Sequence, residues 1–205
     1  MNIEQLEKLL VEHRIPIDSW GRGEAKKVEH LLKEVNAGEA VFRFVNGFLV
    51  RCIKVAAIYV YYPLSDQTLH FLRETRQVFN DGRVRKIRRD TSVSEKLMPG
   101  EKPEEAAHRA LAEELNDDFR KGGYSMAAIG CDPVITGGTR SYPHLRTFRQ
   151  RYFFVCVVPK FLYRHEGYKE VQAGVKTIYF DWVPIHRYDA QPFMYAVMGG
   201  MKLPR

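Results

Sequence analysis

Between Ser92 and Asp117 the chain reads SVSEKLMPGEKPEEAAHRALAEELND, and here the side chains able to do chemistry crowd together. Wound on a helix, Glu105, Arg109 and Glu113 fall in line at four-residue steps, which sets the arginine between two carboxylates. Glu114 lies beside Glu113 on the edge of that face, while Ala106, Leu111 and Leu115 turn toward a core. Adjacent glutamates steadied by an arginine can hold a hard divalent cation. Mg2+ wants oxygen ligands in octahedral array and commonly takes one or two carboxylates, with waters and substrate phosphates completing the set. The same spacing also describes a salt-bridge ladder on a solvated helix, and spacing alone favours the ladder.

The elements that must position this helix can be read around it. Pro103 opens it, Glu104 and Glu105 occupy its first turn where the dipole favours them, and it should run to about Asn116. Before it, Asp90 to Lys102 reads as a Gly/Pro-bearing loop. Upstream, Phe42 to Phe44 and Leu49 to Tyr62 are rich in β-branched and aromatic residues, and Thr68 to Arg88 reads as a hairpin with Asn80, Asp81 and Gly82 at its tip. Downstream, strands are expected at Ser125 to Ile135, Thr147 to Val158 and Lys176 to Val183. The first forty residues are different. Ile3, Leu6, Leu9 and Leu10, then Ala25, Val28, Leu31, Leu32 and Val35, recur at helical spacing, with Gly38 as a C-cap. The expectation is therefore a helical extension over residues 1–39 and an α/β or α+β domain with a mixed sheet over 40–205.

The whole segment resembles the Nudix box, the loop-and-helix signature GX5EX7REUXEEXGU of the Nudix hydrolase superfamily, in which U is aliphatic. Laid on it without gaps, Glu101 matches the first glutamate, Arg109 the arginine, Leu111 the aliphatic position, and Glu113 and Glu114 the paired glutamates. The departures are equally plain. Glu95 stands at the opening glycine, Ala110 replaces the glutamate after the arginine, and Asn116 and Asp117 replace the closing glycine and aliphatic residue. A third carboxylate of the family pattern is thus a methyl group here.

The resemblance implies an α/β/α sandwich and hydrolysis of a nucleoside diphosphate linked to another moiety, by water attacking phosphorus. It implies Mg2+ or Mn2+ held by Glu113 and Glu114, with Glu101 as a further ligand or an acid behind the ligands, and Arg109 as the group that orients them. Glu95 would be a substitute ligand, and Glu166 or Glu170 in HEGYKEVQ would supply the base that some members place on a late loop. Arg83, Arg85 and Arg88 of the basic hairpin would hold distal phosphates, and Tyr142 or Tyr168 would stack a base.

Composition bounds the alternatives. The 205 residues are 45% hydrophobic and 28% charged, which excludes disordered, collagen-like and disulfide-scaffold classes. Three scattered cysteines, Cys52, Cys131 and Cys156, give neither a disulfide framework nor a zinc ribbon and point to a reducing, cytoplasmic-type compartment. The longest apolar run, Val55 to Tyr62, is too short to cross a bilayer, and the acidic N-terminus has no leader character. None of the seven histidines shows zinc spacing, and GGTRSYPH lacks the ending of a P-loop. The formal charge of +7 concentrates between Leu72 and Arg89, so phosphate-bearing partners are favoured. A second reading follows from that charge and from Ala110: a non-catalytic protein that binds RNA or a protein partner through its basic hairpin. Oligomeric state is left open.

Overall fold

The computed structural model describes residues 1–64, 68–87, 90–186 and 189–190. In chain order the elements are α1 (Ile3–Glu12), α2 (Val28–Asn36), β1 (Val41–Val45), β2 (Phe48–Pro63), β3 (Thr68–Phe79), β4 (Val84–Lys86), β5 (Val93–Lys96), α3 (Pro103–Glu114), a 3-10 turn (Asp117–Lys121), β6 (Ser125–Thr136), β7 (Arg146–Val157), β8 (Tyr168–Gln172) and β9 (Lys176–His186). This is an α+β fold with few helices and an open mixed sheet. Its strand order is β6-β7-β2-β3-β9-β8, with β1 and β5 also paired to β2 and β4 paired to β3.

The chain clusters into two compact units. The first holds residues 1–55, 96–101 and 131–151; the second holds 56–95, 102–130 and the chain from 152 onward. In the first unit, Asn2 and Gln5 cap α1 reciprocally, and Leu6, Leu10, Leu31, Trp20, Leu49, Tyr142 and Leu145 form one buried cluster. The Trp20 indole N–H donates to the Pro143 carbonyl at 3.2 Å, so the connector between the helices is pinned rather than loose. Beneath lies Glu34, only 6% exposed, which accepts from Arg51 at 2.5 Å and sits within 3.2 Å of Lys26 and Lys96.

In the second unit, Tyr61, Leu69, Phe71, Val155 and Val157 build the core beside the β2–β3 ladder. The hairpin tip falls where Asn80, Asp81 and Gly82 place it, with Gly82 at φ 84° and its N–H donating to the Phe79 carbonyl at 2.9 Å. Two strands depart from the sequence reading. Val93–Lys96, expected as loop, is β5, because β2 offers it backbone partners: Ser92 N–H donates to Ile58 O at 2.9 Å and Leu97 N–H to Lys54 O at 3.0 Å. The buried Ser92 hydroxyl also donates to Leu72 O and accepts from Val60 N–H. The other is β8, which pairs antiparallel with β9 from Tyr168 opposite Phe180 to Gln172 opposite Lys176.

Candidate functional site

The helix that carries the paired glutamates is set by its own sequence. Pro103 sits in its first turn, the Glu105 carboxylate accepts the Lys102 N–H at 3.0 Å, and Ala106, Ala107, Ala110, Leu111 and Ala112 are buried along one side. Small side chains there combine high helix propensity with close approach to the sheet. Glu105 is thus a capping residue. The helix ends two residues earlier than expected, at Glu114, because Asn116 leaves helical geometry and accepts the Asp118 N–H at 2.9 Å to start the 3-10 turn.

Arg109 donates to Glu113 at 3.1 Å across one helical turn, and the Glu113 side chain remains 46% exposed. Glu114, half-buried, is the last residue of the helix. Ala110 is fully buried. The point at which the family pattern has a further carboxylate is therefore packed against protein.

Glu101, in the first unit, closes a tight turn. Its N–H donates to Met98 O at 3.1 Å, its carboxylate accepts Met98 N–H at 2.7 Å, and Gly100 at φ 77° occupies the position of a Pro-Gly turn that demands a positive φ. Beside α3 in the second unit is a cavity of about 500 Å3 lined by His108, Arg109, Phe119, Arg120, Lys121 and Tyr124, among others. Sequence reading passed it over, since Arg120 and Lys121 look like plain surface charge; both are in fact paired, to Asp117 and Asp118 at 2.9 Å.

The remaining candidates scatter. Tyr142 is 1% exposed, with its ring against Trp20 and its hydroxyl donating to Glu34 at 3.1 Å, so it belongs to a core and offers no face to a base. Tyr168 is likewise buried and donates to Leu162 O. Residue type, the signal that points to both, carries no information about burial. Arg83 is exposed at the hairpin tip and bonded to Asp81 at 2.7 Å. Arg85 is half-buried opposite Gln77, and Arg88 lies outside the described residues. Glu95 is part of β5 rather than of a loop that could swing. Glu166 is exposed just before β8, whereas Glu170 accepts the Gln172 side-chain amide at 2.7 Å.

Among the described residues no three His, Cys, Asp or Glu side chains gather closely enough to hold a metal ion. Glu113 and Glu114 are oxygen donors of the kind that Mg2+ takes together with waters and substrate oxygens. All three cysteines are free, and burial pushes the Cys156 thiol far up, out of nucleophilic range. Among the described residues no helix is long and apolar enough to cross a membrane.

No protein-family model matches the chain, and no curated protein matches it. Similar solved structures include the Ap4A hydrolase of C. elegans, at 14% identity and TM-score 0.34, covering 73% of this chain and 92% of that one. They also include the NUDIX domain of Shewanella oneidensis NrtR complexed with ADP ribose, at 12% identity and TM-score 0.35, covering 74% and 79%. A Nudix hydrolase from M. smegmatis, RenU, is similar at 14% identity and TM-score 0.32, covering 73% and 76%.

Proposed function

We propose that this chain is a Nudix-type hydrolase, weak because its box is incomplete, that cleaves the diphosphate linkage of a nucleoside diphosphate derivative with Mg2+ or Mn2+. The observation that carries this reading is the placement of Glu113 and Glu114 as the last two residues of α3. The helix C-terminus is the negative end of the macrodipole, so two carboxylates there are electrostatically costly unless a cation lies close. Arg109 offsets part of that cost through Glu113. Two carboxylates are the usual protein share of a Mg2+ site that also binds substrate phosphates, so the donor set fits.

The chemistry that such an ion supplies is charge neutralisation on the diphosphate and a lowered pKa for bound water. The chain's own contribution is positional. Arg109 fixes the Glu113 carboxylate, the Met98–Glu101 turn fixes Glu101, and exposed Glu166 is free of the amide contact that occupies Glu170. Buried Ala110 supports the second reading, a protein that binds without turnover, because it removes one carboxylate from the family's set. The two readings separate in a turnover assay on a panel of nucleoside diphosphate derivatives with Mg2+ or Mn2+. Product release that Glu114→Gln abolishes supports hydrolysis at this site; release that survives Glu114→Gln would put the turnover elsewhere, and none on any substrate leaves the binding reading.

A further inference from the structure

Four strands of the second unit lie side by side in the order β4-β3-β9-β8, and their registers bring one set of residues into a single transverse row. Lys86 is opposite Arg76, Arg76 opposite Tyr179, and Tyr179 opposite Lys169. Residues opposed across neighbouring strands present their side chains on the same face. The next row along each strand, Arg85, Gln77, Ile178 and Glu170, faces the other way, and Gln77 and Ile178 are buried. The Lys86 row therefore belongs to the exposed face, with Lys86 and Lys169 exposed at its ends and Arg76 and Tyr179 half-exposed between them.

We propose that this row is a docking surface for a single-stranded nucleic acid. Three cations and one aromatic ring span three interstrand gaps, roughly 14 Å at about 4.8 Å per gap. Arg76 is held in place by Asp181 at 2.9 Å and lies over the Tyr179 ring at 4.1 Å from its centroid. Neither terminal ammonium, of Lys86 or of Lys169, has a partner among the described residues. Charge complementarity thus selects a polyanion. What makes it a single strand is the rest of the face. The row two residues along, Val84, Val78, Thr177 and Val171, is uncharged, and Val84 and Val171 are 60% and 64% exposed. A sheet face with phosphate-binding cations, a guanidinium layered on an aromatic ring and an adjoining apolar strip takes splayed bases, which a duplex keeps inside its stack. Sequence alone showed the basic run of β3 and β4. It could not show Lys169, which enters through the β8–β9 register.

The test is fluorescence anisotropy of the full chain with a short fluorescein-labelled oligouridylate, in EDTA so that no hydrolysis is involved. Three phosphate contacts at a slope of about −0.7 each weaken binding about 15–20-fold between about 50 and 200 mM salt. The double substitution Lys86→Gln with Lys169→Gln should reduce that dependence to about 2–3-fold and weaken binding at least tenfold at low salt. Lys8→Gln with Lys33→Gln, which changes the net charge equally on exposed positions of α1 and α2, should leave binding unchanged. Tyr179→Ala should weaken binding while Tyr179→Phe retains it. Equal losses in the two lysine pairs, a duplex bound as tightly as the single strand, or no binding at low salt would each overturn the proposal. Because the readout is binding alone, these outcomes are independent of whether the hydrolase reading stands.

Discussion

Arg109 and Glu113 are joined by a 3.1 Å ion pair along α3, and Glu113 is followed at once by Glu114, where the helix stops. The pair is worth little as stability, since a partly exposed pair one turn apart contributes only about 0.3–0.5 kcal/mol. Its consequence lies in orientation. Arg109→Gln is expected to leave the chain folded while lowering turnover about 10–100-fold, the usual effect of removing a group that orients a metal ligand. Loss of fold and of activity together would assign Arg109 to packing.

Ala110→Glu restores the family's lettering but at a fully buried position. Inserting a carboxylate where a methyl group is packed costs several kcal/mol, so the expected result is a melting temperature lower by on the order of 10 °C in EDTA, with no gain in turnover. Differential scanning calorimetry and the substrate panel check both halves. A stable variant with higher turnover would show that the face of α3 at Ala110 opens onto the reacting groups.

Glu34 gives the first unit a pH dependence. Burial pushes its carboxyl up, but the charges of Arg51, Lys96 and Lys26 and the Arg51 hydrogen bond outweigh that, and its pKa falls from 4.5 to about 2. The folded value lies below the unfolded one. The stabilisation, on the order of 3 kcal/mol, is therefore complete above about pH 4.5 and is lost as pH falls toward 2. Denaturant titrations across that window should show the loss in the native chain. Glu34→Gln should flatten it and destabilise the chain by about 3–5 kcal/mol at neutral pH, because buried Arg51 would lose its carboxylate. An unchanged acid limb in Glu34→Gln would assign the dependence elsewhere.

Gly167 separates exposed Glu166 from buried Tyr168 and adopts φ 77°. A Cβ there would stand 2.0 Å from the Phe180 carbonyl oxygen, which the backbone of β9 cannot vacate. Gly167→Ala should therefore cost more than the ordinary left-handed penalty of about 1–2 kcal/mol, lowering chemical stability by about 3 kcal/mol or more. A cost below about 1 kcal/mol would mean that the turn before β8 relaxes freely.

Long periodic elements were legible in the sequence and short paired ones were not. The helices α1 and α2, the tip at Asn80–Gly82 and the start of α3 at Pro103 follow from local signals: apolar periodicity, turn residues and a proline in the first turn. The strands β5 and β8 have four and five residues and carry charges; β5 exists because β2, more than thirty positions earlier, supplies its hydrogen-bond partners, and β8 because it folds back on β9 through the short turn between Gln172 and Lys176. At the candidate site, the spacing of Arg109 and Glu113 gave their ion pair. Tyr142 shows the limit: its surroundings are made by Glu34, Trp20 and Lys26, all more than a hundred positions earlier. The same holds for the row from Lys86 to Lys169, which only strand register assembles.

The measurement closest to the central claim is Mn2+ titration followed by electron paramagnetic resonance, on the native chain and on Glu113→Gln with Glu114→Gln, with and without a nucleoside diphosphate derivative. The expected result is one Mn2+ site in the native chain, tightened by the nucleotide and weakened at least tenfold in the double variant. Equal Mn2+ affinity in both proteins, or no bound Mn2+ in either with nucleotide present, would contradict a cation held by the glutamates that close α3.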